Sequence, residues 1–229
     1  MNYLKSLYRR YYHGIPALTY LVFYMLWFGH LEQTVTKNYE VIHTKLDNYI
    51  PFIEIFIIPY LLWFIYVAIV ILYLFFKNKH DFVKYCIYLF TGMTVFLIIS
   101  TFWPNGQHLR PTIMPRNNIF TQMISFLYKA DTPTNIWPSI HVYNSLGTHL
   151  AIIHSKELKN MKSITISSCI LCILIILSTM FIKQHSVFDV FTAFILGTEM
   201  YFLVYHPEYN LVSKLFRNHQ KKSQTQISS

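Results

Sequence analysis

Long apolar runs constrain this chain more than any other feature. From Phe52 to Phe76 the only charge is Glu54, and Phe82 to Trp103 and Ser163 to Ile182 are nearly as apolar. A helix rises about 1.5 Å per residue, so about 20 apolar residues cross the roughly 30 Å of bilayer hydrocarbon. Three further segments, Ile15 to Leu31, Pro138 to His154 and Val187 to Tyr205, bring the expected spans to six, the first and fourth of the set being the least apolar. With 54% hydrophobic and only 13% charged residues, the composition excludes an ordinary soluble domain. The expected fold is all-α: one polytopic membrane domain over residues 1–217, a six-transmembrane-helix bundle. The Ser/Gln/Lys-rich stretch 218–229 is expected to be a disordered tail.

The net charge of +9 does not point to nucleic acid, because the basic residues are scattered through short loops and tails. Topology accounts for them. With both termini cytoplasmic, thirteen Lys and Arg fall on that side and six on the other, the bias that the positive-inside rule favours. The basic start followed by an apolar stretch, with no small-residue cleavage site, reads as an uncleaved signal anchor of a multi-pass cell-membrane protein. Cys86, Cys169 and Cys172 sit in apolar runs and read as small hydrophobes.

This topology puts three unusual stretches on the outer face. Lys183-Gln184-His185-Ser186-Val187-Phe188-Asp189 places an imidazole and a carboxylate four residues apart, on one face if the stretch is helical. The carboxylate can then hold Nδ1–H and leave Nε2 free to attack. Asn135-Ile136-Trp137-Pro138-Ser139-Ile140-His141 reads as a helix start, whose free N–H groups favour an anion, with Ser139 adding a hydroxyl and His141 close by. Gln107-His108-Leu109-Arg110-Pro111 adds a guanidinium fork that matches phosphate oxygens.

In order, spacing and position relative to the spans, Arg110-Pro111, Pro138-Ser139-x-His141 and His185-x-x-x-Asp189 resemble the three signature motifs of the type 2 phosphatidic acid phosphatase superfamily. The resemblance covers roughly residues 102–197. It implies a six-helix bundle in which His185 attacks phosphorus, Asp189 orients it and His141 protonates the leaving oxygen, with no metal or other cofactor. The family's usual Lys before the Arg is Trp103 here, and the usual Ser-Arg before the nucleophile is Ser178-Thr179. Lys183 or Arg116 could replace these cations, Lys183 being the first expected to supply phosphate-binding charge beside Arg110 and Ser139. Ile140, and Asp47-Asn48-Tyr49-Ile50-Pro51-Phe52 before the second span, resemble the branch that contains sphingomyelin and inositol phosphorylceramide synthases. Such a chain would act on a lipid phosphate ester or an isoprenyl pyrophosphate among membrane lipids, with water or an alcohol as acceptor.

The competing class is a non-enzymatic protein that binds or moves an anionic lipid in the same basic pocket; a proton-coupled transporter relaying through Asp189 and Glu199 has less in its favour. His149 and Asn144 read as hydrogen-bonders between helices.

Overall fold

The computed structural model describes residue 5 and residues 10–206; the tail expected at 218–229 lies outside the described residues. Among the described residues there are seven helices: α1 (Ile15–Thr34), α2 (Ile57–Lys77), α3 (Lys79–Phe102), α4 (Ile119–Ala130), α5 (Ile140–His154), α6 (Lys162–Phe181) and α7 (Val187–Val204). Five of them, all but α4 and α5, are long and apolar enough to cross a membrane. The fourth anticipated span is α5, a helix of only 15 residues. Helix α4 lies between the third and fourth anticipated spans. Its start is set by a capping box, in which the Asn118 side chain accepts the Thr121 N–H and Thr121 Oγ1 accepts the Asn118 N–H, each at 3.0 Å.

Helix α5 is modest in hydropathy because it is central, packed among α2, α3, α6 and α7. Its inward residues include Asn144, Ser145, Gly147 and Thr148, all buried. Small side chains let helix backbones approach, and hydroxyls bond across the gaps. Thus Tyr85 and Thr148 share a hydrogen bond of 2.6 Å, and the Tyr143 hydroxyl donates to the Tyr88 carbonyl at 2.6 Å. His149 bonds Ser168 at 3.0 Å, as expected of a residue joining helices. Apolar side chains instead cover the outside of the bundle, among them Phe64, Ile65, Ile69, Ile166, Ile170, Phe191 and Ile195, all exposed. A surface this apolar suits lipid, and the chain is a multi-pass helical membrane protein.

One end of the bundle is stitched by its loops. Strands β1 (Glu40–Val41) and β2 (Asn105–Gly106) pair in parallel, and Gly106 also bridges Thr134. Asn105, fully buried, accepts the N–H groups of Ile136 and Trp137 at 2.9 and 3.0 Å through its side chain. Glu32, at the end of α1, accepts from Thr132 Oγ1 at 2.6 Å and from Asn135 Nδ2 at 2.8 Å. These bonds fix the segment that leads into Pro138, Ser139 and His141.

Candidate active site

At the stitched end, the start of α7 sets the geometry. Helix α7 begins at Val187 with Ser186 as its cap, so His185 stands before the helix and not on its face. The i,i+4 pair expected from the sequence is present, but it is built around a capping box and not along a helix face. Asp189 reaches back to accept the Ser186 N–H at 2.8 Å, which turns its carboxylate toward the preceding residue. His185 Nδ1 lies 3.4 Å from Asp189 Oδ2. That is within ion-pair range but longer than a good N–H···O bond, and neither Nδ1 nor Asp189 Oδ1 has a hydrogen-bond partner in the chain.

His141 occupies the first turn of α5. Its ring stacks on Tyr60, centroids 4.5 Å apart, lies 4.4 Å from Trp63, and faces the His185 ring at 5.6 Å. Its Nε2 is buried without a partner. Ser139 caps α5 by accepting the Val142 N–H at 3.4 Å, and its own N–H meets the Asp189 carbonyl at 3.3 Å. The two helix starts are therefore joined directly, and His185, Asp189, His141 and Ser139 form one cluster. His185 is only 7% exposed and Asp189 not at all.

Arg110 lies beside this cluster with its fork already engaged. It donates to the carbonyls of Tyr128, Asp131 and Thr132 and to Gln184 Oε1, sits 4.5 Å above the Tyr128 ring, and is 3.5 Å from the Asp131 carboxylate. Its Nε is buried and unpartnered. Gln184, next to His185, also donates to Asp131 at 3.2 Å. The Lys183 ammonium is likewise engaged, donating to the carbonyls of Asp47 at 3.0 Å and Ile50 at 2.6 Å. Arg116 is paired with Glu54 at the start of α2.

Burial and, secondarily, the Arg110 charge push the His185 imidazole down to about 3, against the Ile136 carbonyl. The ring is neutral at physiological pH, the form in which it is a nucleophile. Burial also lowers Lys183, with Asp47 opposing.

Four residues that hold this end together escaped the sequence reading as site residues: Asp47, Glu32, Asp131 and Gln184. Gln184 carried a signal in its place beside His185. The others act across long sequence separations, which no local pattern displays.

No family model, no curated protein and no solved structure matches the chain. Fold and cluster together define its class, a multi-pass helical membrane protein with two histidines and a carboxylate gathered at one end.

Proposed function

We propose that the chain is a lipid phosphatase or phosphotransferase related to the type 2 phosphatidic acid phosphatases, with α5 as the fourth of six spans, both termini cytoplasmic and the site on the outer face. The observation that carries this reading is the gathering of His185, Asp189 and His141 from two helix starts into one cluster in which His185 and Asp189 are buried. Nε2 of His185 attacks phosphorus of a phosphate ester or pyrophosphate, and the bond to the leaving oxygen breaks. Asp189 holds Nδ1–H and supports the positive charge that forms on the ring. His141 gives its proton to the leaving oxygen, then takes one from water or an acceptor hydroxyl, which displaces phosphorus from His185. Arg110, Lys183 and Ser139 serve the phosphoryl oxygens. For the two cations this means exchanging carbonyl oxygens for phosphoryl oxygens, a replacement of like acceptors that stronger charge favours. With His185 only 7% exposed, substrate reaches Nε2 only when neighbouring groups move aside.

Purified protein offered phosphatidic acid, phosphatidylglycerol phosphate and isoprenyl pyrophosphate tests this. Release or transfer of phosphate, an acid-labile phosphoryl group on the protein, and loss of both in His185→Ala are the expected results. Lipid binding without turnover, unchanged in His185→Ala, would leave anionic-lipid binding as the function and sink the enzyme reading.

A further inference from the structure

The turn before α2 contributes a carboxylate that the proposed chemistry does not use. Asp47 comes from a short 3-10 turn, residues Lys45–Asn48, and is 2% exposed. Two of its contacts are local: the Thr44 N–H and Oγ1 donate to Oδ2 at 2.7 and 3.0 Å. The other two cross to the site. Ser186 Oγ donates to Oδ2 at 2.7 Å, and the Val187 N–H donates to Oδ1 at 2.8 Å. Burial pushes the Asp47 carboxyl up, but the bonds from Ser186, Val187 and Thr44 outweigh it and hold the group below the usual carboxylate range.

A carboxylate at the N-terminus of a helix ordinarily reads as a cap. Here α7 already has its own capping box, made by Ser186 and Asp189. Asp47 is a second carboxylate on the same residues, brought from a distant part of the chain. Between them, Asp47 takes the Ser186 hydroxyl and Asp189 takes the Ser186 N–H, so the residue next to His185 is gripped from two sides. The grip is mutual, because Lys183 donates to the Asp47 and Ile50 carbonyls from the other side of His185. The Ile53 N–H also bonds the Phe181 carbonyl at 3.1 Å, closing the clasp just ahead of α2. Helix α2 carries Tyr60 and Trp63, the rings against His141. One clasp therefore bears on both histidines.

We propose that Asp47 is a positioning residue, which fixes the Ser186 backbone and through it the placement of His185 against Asp189 and His141. Its use in catalysis rests on the phosphotransfer reading; its hold on His185 does not. Asp47→Asn is the sharpest variant, because it keeps the shape while its amide can accept at only one of two positions where four donors converge.

Modification by diethyl pyrocarbonate, located by mass spectrometry in the full-length protein, reads His185 without any substrate. The expected result is at least a fivefold faster modification of His185 in Asp47→Asn, with His149, bonded to Ser168 deeper in the bundle, unchanged. An unchanged His185 rate, or an equal rise at His149 that signals general loosening, overturns the proposal. Asp47→Glu keeps the charge and both acceptor oxygens but displaces them by one methylene without touching the cap of α7, so it decides the matter if Asp47→Asn does not accumulate. A twofold or greater rise confined to His185 supports the proposal, and no rise overturns it. With a lipid phosphate as substrate, Asp47→Asn lowers kcat at least tenfold with KM within twofold. A rise in KM with kcat intact would place Asp47 in substrate binding instead. Absence of turnover in the wild type would refute the phosphotransfer reading alone, since the modification rates stand apart from it.

Discussion

Lys183 offers a test in which side chain and backbone separate. Its φ is 54°, in the left-handed region, where a Cβ crowds the backbone and glycine does not. Its ammonium donates to the carbonyls of Asp47 and Ile50. Two buried charge-assisted bonds would each contribute about 1.5–3 kcal/mol, but this side chain is half exposed and water can replace it, so the pair contributes about 2 kcal/mol. Lys183→Ala and Lys183→Gly both lose that. The alanine keeps a Cβ where L-residues carry a penalty of roughly 1–2 kcal/mol. Glycine escapes it and gives back roughly 0.5–1 kcal/mol through the greater freedom of its unfolded chain. The expected order is wild type, then Gly, about 1 kcal/mol lower, then Ala, about 2 kcal/mol lower, the reverse of the usual Gly–Ala order. Tryptophan fluorescence during unfolding in detergent measures the order. Lipid phosphate hydrolysis should fall by the same factor in both variants, since both lack the ammonium. An alanine variant as stable as the glycine variant would refute the left-handed placement, and unequal activities would refute the assignment of charge as the contribution of Lys183.

Three other outcomes follow from the geometry. His185 has its folded-state value depressed to about 3, so it supplies stability that is present above its unfolded value near 6.5 and lost as pH falls toward 3; His185→Gln should flatten the stability profile between those limits, measured by unfolding at stepped pH. Asp189→Asn keeps one oxygen to accept the Ser186 N–H but removes the negative charge beside His185 Nδ1, so turnover should drop by about 100-fold or more with KM little changed, as read by phosphate release and by the phosphoryl label on the protein. A Cβ at Gly92 would lie 2.1 Å from carbon atoms of the Tyr143 ring, which is tethered through its hydroxyl to the Tyr88 carbonyl, so Gly92→Ala should lose about 2 kcal/mol or more in the same unfolding assay.

The helices that face lipid were legible and the central one was not, for a physical reason. Lipid demands apolar side chains over a whole span, and the runs Phe52 to Phe76, Phe82 to Trp103 and Ser163 to Ile182 coincide closely with α2, α3 and α6. Helix α5 meets protein on nearly every side, so Asn144, Ser145, Gly147 and Thr148 dilute its hydropathy. Helix α4 carries a readable signal, Asn118 and Thr121 ahead of an apolar face, but at 12 residues it is too short to register as a span. The candidate site was legible where chemistry resides in side-chain type, at His185, Asp189 and His141. It was illegible where partners are backbone: nothing in a sequence announces that Arg110 and Lys183 are held by carbonyls. Nor does it display pairings such as Ser186 with Asp47 or Thr132 with Glu32, which lie 139 and 100 residues apart.

Stability alone is a poor account of the stitched end. His185 Nδ1, Asp189 Oδ1, His141 Nε2, Arg110 Nε and Asn135 Oδ1 are all buried without a partner in the chain, and Trp63 Nε1, on the ring beside His141, is another. Each such atom costs about 1–3 kcal/mol relative to a bonded one. Elsewhere in the bundle Tyr66 and Tyr85 find Ser168 and Thr148, while His13 Nδ1, Ser100 Oγ, Asn144 Oδ1 and the Tyr205 hydroxyl are scattered singly without a partner in the chain. What sets the stitched end apart is concentration: the orphaned atoms gather there around two histidines and an arginine, where one incoming group could complete several of them. A tetrahedral anion is such a group: it supplies acceptors to Arg110, and bonding to His185 Nε2 makes Nδ1 a stronger donor to Asp189. The bland alternative, a polar plug between helices, predicts that replacing His141 and His185 together by Leu and Met stabilises the protein. The phosphotransfer reading allows the same gain in stability but requires that it come with complete loss of turnover, so activity, not stability, separates the two.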